Sequence, residues 1–211
     1  MKTIKRRVKC GCCGKETEIW EIESLYVDDY SLEQCPKYQY QLDKIQECQW
    51  CQYCGWNIEQ LIDDKSKEAI NSKEYKEYFQ NNSENREIQR IKAAISIEDE
   101  IKRKIQLYFN LCWYLEFENR LEEAKQVRET LVGLLEKELT EEPPFELILI
   151  YIECLRRLRR FLECQDIVNE IDSIVEQKID CTDITYLVFK YEKELIEKND
   201  SAKHMMSEIE V

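Results

Sequence analysis

Seven of the chain's eleven cysteines fall within the first 54 of its 211 residues. Cys10-x2-Cys13-Gly14 and Cys51-x2-Cys54-Gly55 repeat one pattern. Two thiolates two residues apart grip a tetrahedral ion from a single tight turn, and a glycine just after them is free to take positive φ as the turn closes. Two such knuckles make a zinc ribbon with a four-cysteine site. The sole histidine, His204, lies far off near the tail, so the expected ligands are sulfur only. Cys10, Cys13, Cys51 and Cys54 are thus expected to hold one structural Zn2+ per chain. Tetrahedral sulfur suits iron as well. Cys12 competes with Cys13, and Cys48-x2-Cys51 has the same spacing without a glycine after it. Cys35, followed by Pro36, lies in the segment between the knuckles.

Other uses of so many thiols fit less well. The opening MKTIKRRVKC is basic but has no apolar segment behind it, so it does not read as a secretion signal. A cytoplasmic location is expected, and structural disulfides are rare there. An odd number of cysteines also does not pair completely. A thioredoxin-like redox pair wants one Cys-x2-Cys in a βαβ setting, and no such pattern follows either knuckle. Cys112, Cys154, Cys164 and Cys181 sit in apolar helical stretches, where a thiol packs as a small hydrophobe.

Three of the four glycines (Gly11, Gly14 and Gly55) and Pro36 lie in or beside the cysteine stretches, and the other two prolines are Pro143-Pro144. The rest of the chain reads as helix. Residues 1–62 are expected to form the ribbon module, with KTIKRRVK and ETEIWEI as strands. Residues 63–96 form a connecting helix and a linker centred on NNSEN at 81–85. Residues 97–211 carry helical periodicity at 98–118, 121–139, 145–159, 161–178 and 183–198. Asp183 is placed to N-cap the last helix, after Asp180 and Thr182 in a polar turn. The fold class is α+β, mostly α.

LCWYLEFENRLEEAKQVRETL (111–131) aligns without gaps on YIECLRRLRRFLECQDIVNEI (151–171), 40 residues on. Leu115 matches Leu155, Arg120 matches Arg160, and small Ala124 matches Cys164, where helices of an antiparallel hairpin approach closely. The pattern is similar to tetratricopeptide hairpins, although Arg128 replaces the usual aromatic and the period exceeds about 34 residues.

The knuckles, the YSLEQCPKYQY segment and WCQYCGWN opening into helices together resemble a bacterial family known as domain of unknown function 2225. That resemblance implies a cysteine-rich ribbon joined to tetratricopeptide-like helices. It carries Cys10, Cys13, Cys51 and Cys54 over as metal ligands, with Cys35 as an extra, and it supplies no activity.

No phosphate loop, nucleophile elbow or H-E-x-x-H appears. A zinc held by four thiolates has no open position for water, which argues against an enzyme. The basic strand Lys2, Lys5, Arg6, Arg7, Lys9 suggests nucleic acid. However, residues 1–62 carry eight basic and ten acidic side chains, a net of −2, within a chain of net charge −13. Phosphate is repelled by such a surface. The expected function is a non-enzymatic scaffold binding a protein or peptide on its helical domain, with that acidic face also open to a homodimer. RRLRR at 156–160 either meets an acidic partner or pairs with neighbouring glutamates. No stretch is long and apolar enough to span a membrane.

Overall fold

The computed structural model describes residues 2–24, 26–42, 44–139, 143–178 and 183–209; Asp180, Cys181 and Thr182 lie outside the described residues. Strand β1 (Lys2–Lys9) pairs antiparallel with β2 (Glu16–Ser24), and β3 (Gln46–Glu47) pairs antiparallel with β4 (Cys54–Gly55). The helices are α1 (Asp64–Asn71), α2 (Lys73–Glu77), α3 (Arg86–Ile97), α4 (Ile101–Phe117), α5 (Leu121–Glu138), α6 (Phe145–Arg157), α7 (Phe161–Lys178) and α8 (Ile184–Glu197). The class is α+β, mostly α. Two compact units form, one from Met1–Tyr26 with Gln39–Ala124, the other from Val27–Tyr38 with Lys125–Val211. This division differs from boundaries at 62 and 96, because the ribbon folds in one unit with α1–α4.

In the first unit, β1 presents cations and β2 presents glutamates. Lys5 meets Glu18 at 2.5 Å, and Arg6 reaches both Glu21 at 2.6 Å and Glu59 at 2.5 Å. Lys2 pairs with Glu23, and Arg7 with Glu18. The basic strand is thus balanced across the hairpin. The periodic run after the ribbon breaks at Ser72, which ends α1 and caps α2, its side chain accepting from Tyr75 N. Residues 81–85 are tied down rather than a free linker. Asn85 N-caps α3, Gln89 donates to Asn81 O at 2.6 Å, and Glu84 bridges Lys92 and Arg120. Ile70, Ile88, Ile91, Leu107 and Leu115 fill the core.

Two turns 40 residues apart share one backbone geometry. Asn119 and Arg159 stand at equivalent positions after α4 and α6, both left-handed at φ 58° and 63°. In each case the next amide closes the turn onto a leucine carbonyl, Arg120 N to Leu115 O at 2.8 Å and Arg160 N to Leu155 O at 2.9 Å. Cys112 donates to Ala124 O, and Cys164 to Ile152 O, at 3.5 and 3.6 Å. These are the same two repeat positions with the thiol on opposite sides. A third copy of the turn follows α8, with Asn199 at φ 52° and Asp200 N donating to Leu195 O at 2.9 Å.

The second unit contains RRLRR, and its arginines are used internally. Arg156 is fully buried. Its Nε donates to Glu153 and to Glu192, each at 2.9 Å, and its Nη1 donates to Asp200 O and Ala202 O at 2.6 and 3.0 Å. Arg160 pairs with Glu163 and Glu129, Arg157 lies 4.0 Å from Glu153, and Arg159 donates to Ser201. A second buried pair joins Arg128 to Glu33 at 2.8 Å. Arg128 is thus committed to this ion pair. Asp183 caps α8 as expected, accepting from Thr185 N.

Replacing Arg156 by Met leaves two buried carboxylates without their cation. The expected cost is about 3–5 kcal/mol in urea unfolding; no loss would show that the network carries little stability. Desolvation raises the pKa of both Glu153 and Glu192, and for Glu153 its neighbour Glu192 raises it further. The folded state therefore holds protons that the unfolded state releases above the usual Glu range, about 4.3. This pair's contribution falls as pH rises from there toward its folded value. Glu192→Gln removes one such titration, so the variant should gain stability relative to wild type as pH rises, read from denaturation midpoints across pH.

Candidate metal centre

Each strand that leads into the ribbon delivers a cysteine at its end. β1 runs into Cys10 and β3 runs into Cys48. In the first knuckle, Cys10 N donates to Lys15 O at 3.0 Å and Gly14 N to Cys10 O at 2.8 Å, with Gly14 at φ 70°. The second knuckle repeats this: Cys48 N donates to Tyr53 O and Gln52 N to Cys48 O, both at 2.9 Å, with Gln52 at φ 63°. Gln52 is thus the counterpart of Gly14.

The Sγ atoms of Cys10, Cys13, Cys48 and Cys51 lie within 4.8 Å of one another. Cys10 and Cys51 are 3.7 Å apart, and Cys13 and Cys48 are 3.8 Å apart. A tetrahedron with metal–sulfur bonds of about 2.3 Å has sulfur–sulfur edges of about 3.8 Å. The donor set therefore fits a tetrahedral, thiophilic cation. No disulfide forms among the described cysteines.

Three of the four expected ligands, Cys10, Cys13 and Cys51, come together; Cys54 does not, and Cys48 takes its place. The glycine after Cys54 is misleading. Gly55 lies in β4 and does not take positive φ, whereas Gln52 does. The left-handed residue turns the chain so that Cys54 points inward, buried, its Sγ donating to Gln52 O at 3.4 Å. Its amide donates to Tyr75 Oη at 3.1 Å, and that hydroxyl donates to Gln52 O at 3.0 Å. Cys12 is half-buried beside Cys51. Cys35 belongs to the other unit. Gly11 packs backbone to backbone against the segment after the second knuckle. A Cβ there would come within 1.9 Å of Gln60 O, and Gly11 N donates to Ile58 O at 2.8 Å.

Backbone amides converge on the sulfurs, from Cys12 and Cys13 to Cys10, from Trp50 and Cys51 to Cys48, and from Tyr53 to Cys51. Burial outweighs them at Cys10, pushing its thiol up to about 11, and raises Cys51 further. At Cys48 burial is outweighed by the amides of Cys51 and Trp50, and the pKa is lowered. Without a cation the cluster therefore keeps protons, which a bound metal displaces.

Several supporting residues carried no obvious motif. Glu47, beside Cys48, is nearly buried and pairs with Arg86 and with Arg90, the latter at 2.8 Å. Lys76 donates to Cys51 O at 2.5 Å. The amphipathic pattern of α3 hints at neither. The strand before each first cysteine, by contrast, was a usable signal for Cys48.

Comparison with protein-family models, with curated proteins and with solved structures finds no match to this chain. Among the described residues, no helix is long and apolar enough to cross a membrane.

Cys48→Ser should lower zinc affinity by at least about 100-fold in a chelator competition, since a ligand is lost, while Cys54→Ser keeps one equivalent bound. The reverse ranking would exclude the quartet. Gln52→Gly should stabilise the metal-loaded protein by up to about 1 kcal/mol, because it relieves a left-handed non-glycine residue.

Proposed function

We propose that the chain is a non-enzymatic, zinc-binding interaction scaffold, in which one structural Zn2+ on Cys10, Cys13, Cys48 and Cys51 fixes the ribbon and the repeated hairpins receive a protein or peptide partner. The observation that carries this reading is the all-sulfur quartet. A cation that takes four thiolates has no position left for water or substrate, so its work is folding. Zinc is chosen over iron as the commoner occupant of closed four-cysteine ribbons. When bound, the ion supplies a fixed cross-link between the two knuckles. Cys10 and Cys48 anchor it from the ends of β1 and β3, while the amides of residues 12, 13, 50, 51 and 53 share the thiolate charge.

The resemblance to domain of unknown function 2225 belongs to this proposal, and so does a cytoplasmic location. The nucleic-acid alternative loses support from the pairing of Lys2, Lys5, Arg6 and Arg7 with glutamates of the same hairpin. RRLRR as a docking strip for an acidic partner loses support in the same way, because its arginines meet Glu153, Glu192, Glu163 and Glu129. A partner would instead meet the acidic helical faces, which a second copy of the chain, equally acidic, would repel.

Cobalt substitution tests the reading. Co2+ in the purified chain should give the intense charge-transfer and ligand-field bands of tetrahedral tetrathiolate, unchanged by azide or cyanide. Bands that shift with added anion would reveal an open coordination position and overturn the non-enzymatic role. Affinity should also fall as pH is lowered, since protons on Cys10 and Cys51 compete with the metal.

A further inference from the structure

Cys35 takes no part in the quartet, yet its thiol is met by a charged side chain from near the other end of the sequence. Residues 31–35 form a tight turn in the second unit. Ser31 N donates to Cys35 O at 2.8 Å, Gln34 N to Ser31 O at 2.7 Å, and Cys35 N to Ser31 Oγ at 3.1 Å. Gln34 takes φ 63° to close it. The turn drives the Cys35 side chain inward to complete burial. There its sulfur meets Lys203, whose Nζ donates to Sγ at 3.2 Å from 168 residues along the chain.

Backbone pairing holds this approach on both sides, so it does not depend on two flexible side chains meeting by chance. Leu32 N donates to His204 O at 3.2 Å and Met206 N to Tyr30 O at 2.7 Å. Ser31 and Met205 form a bridge, and Ser207 Oγ donates to Asp29 Oδ2 at 2.5 Å. His204, between them, is clamped by Glu208 at 2.7 Å and Asp200 at 3.2 Å. It is not the incidental side chain of a loose tail. Cys35 Sγ also donates to Pro36 O at 3.4 Å, much as the buried thiols of Cys112 and Cys164 each face a carbonyl oxygen; what Cys35 has besides is the Lys203 nitrogen.

We propose that Cys35 and Lys203 form an oxidation-driven cross-linking site, in which peroxide converts the pair to a covalent S–N bond that locks the tail onto the 31–35 turn. Written from the thiolate–ammonium form, the steps balance. The Cys35 sulfur attacks one peroxide oxygen, the O–O bond breaks, and sulfenic acid and hydroxide result; sulfur is oxidised by two electrons and peroxide is reduced. The hydroxide takes a proton from the Lys203 ammonium to give water and the free amine. The amine nitrogen then attacks the sulfenic sulfur, the S–O bond breaks, and the departing hydroxyl leaves as a second water with a nitrogen proton. Sulfenic acid condenses with nitrogen in this way when nitrogen is the neighbour it finds. Peroxide is little larger than water, and Lys203 itself reaches solvent. A thiol attacks the sulfur and releases the Lys203 amine, leaving a mixed disulfide on Cys35; a second thiol then frees the Cys35 thiol as the two added thiols join in a disulfide.

The test uses the full zinc-loaded chain, treated with hydrogen peroxide and digested with trypsin without reduction. The cross-link should join peptide 16–37 to peptide 199–211 with loss of two hydrogens and loss of cleavage at Lys203, and dithiothreitol should reverse all three changes. Lys203→Arg, which keeps the cation, and Cys35→Ser should each abolish the joined peptide, with circular dichroism checking that each variant is folded. Cys35 recovered as sulfinic or sulfonic acid beside a cleavable Lys203 would overturn the proposal. So would Cys35 in a disulfide, or Cys35 untouched while other thiols oxidise. A joined pair that retains one oxygen would overturn the direct S–N bond.

Discussion

Four thiols within 4.8 Å of one another are stable together only if something balances them. As thiolates they repel, and as thiols in this half-buried pocket they exchange weak hydrogen bonds for lost hydration. A divalent cation resolves the conflict, and its binding free energy becomes folding free energy for a module whose hairpin buries little else. Val8, Thr17 and Ile19 are the buried side chains of β1 and β2, too few for a core.

The consequences run outward through the second knuckle. Gln52 takes the left-handed turn, and that turn sends Cys54 away from the quartet and into the packing under Tyr75. Tyr75 closes on Gln52 O, Lys76 on Cys51 O, and Glu47 on Arg86 and Arg90. Each of these contacts lies within one or two residues of a ligand and reaches α2 or α3. The metal centre and the first helices therefore form one cooperative body. Loss of a bound ion would be felt at Ile88 and Ile91 as well as at the sulfurs.

Periodicity made the helices legible, because an apolar stripe at helical spacing has one economical reading. The expected spans 121–139, 145–159 and 161–178 match α5, α6 and α7 to within two residues at every boundary, and the segments 111–131 and 151–171 contain turns of the same geometry at Asn119 and Arg159. The choice between Cys48 and Cys54 was not legible from glycine. Left-handed conformation costs a non-glycine residue only about 1–2 kcal/mol, and a knuckle whose amides grip two sulfurs and a carbonyl covers that cost with Gln52. The fate of RRLRR was hidden for a related reason. Local charge says nothing of partners 36 residues away, and Glu192 reaches Arg156 only once α8 has packed.

The third turn, after α8, leads into extended chain and not directly into another helix. Leu195, Asn199 and Asp200 repeat the geometry of Leu115, Asn119 and Arg120, so the backbone is prepared for another helix. Asp200 stands where arginine stands in the first two copies, and its carbonyl, with that of Ala202, is taken by Arg156. A further helix beginning there would have to draw both carbonyls into its own ladder. Instead the chain continues extended through Met205 and pairs with Tyr30 and Ser31. A helical repeat needs its last exposed face covered. Here a short extended segment, held through a buried guanidinium, lies against α8, and the same segment brings Lys203 to Cys35.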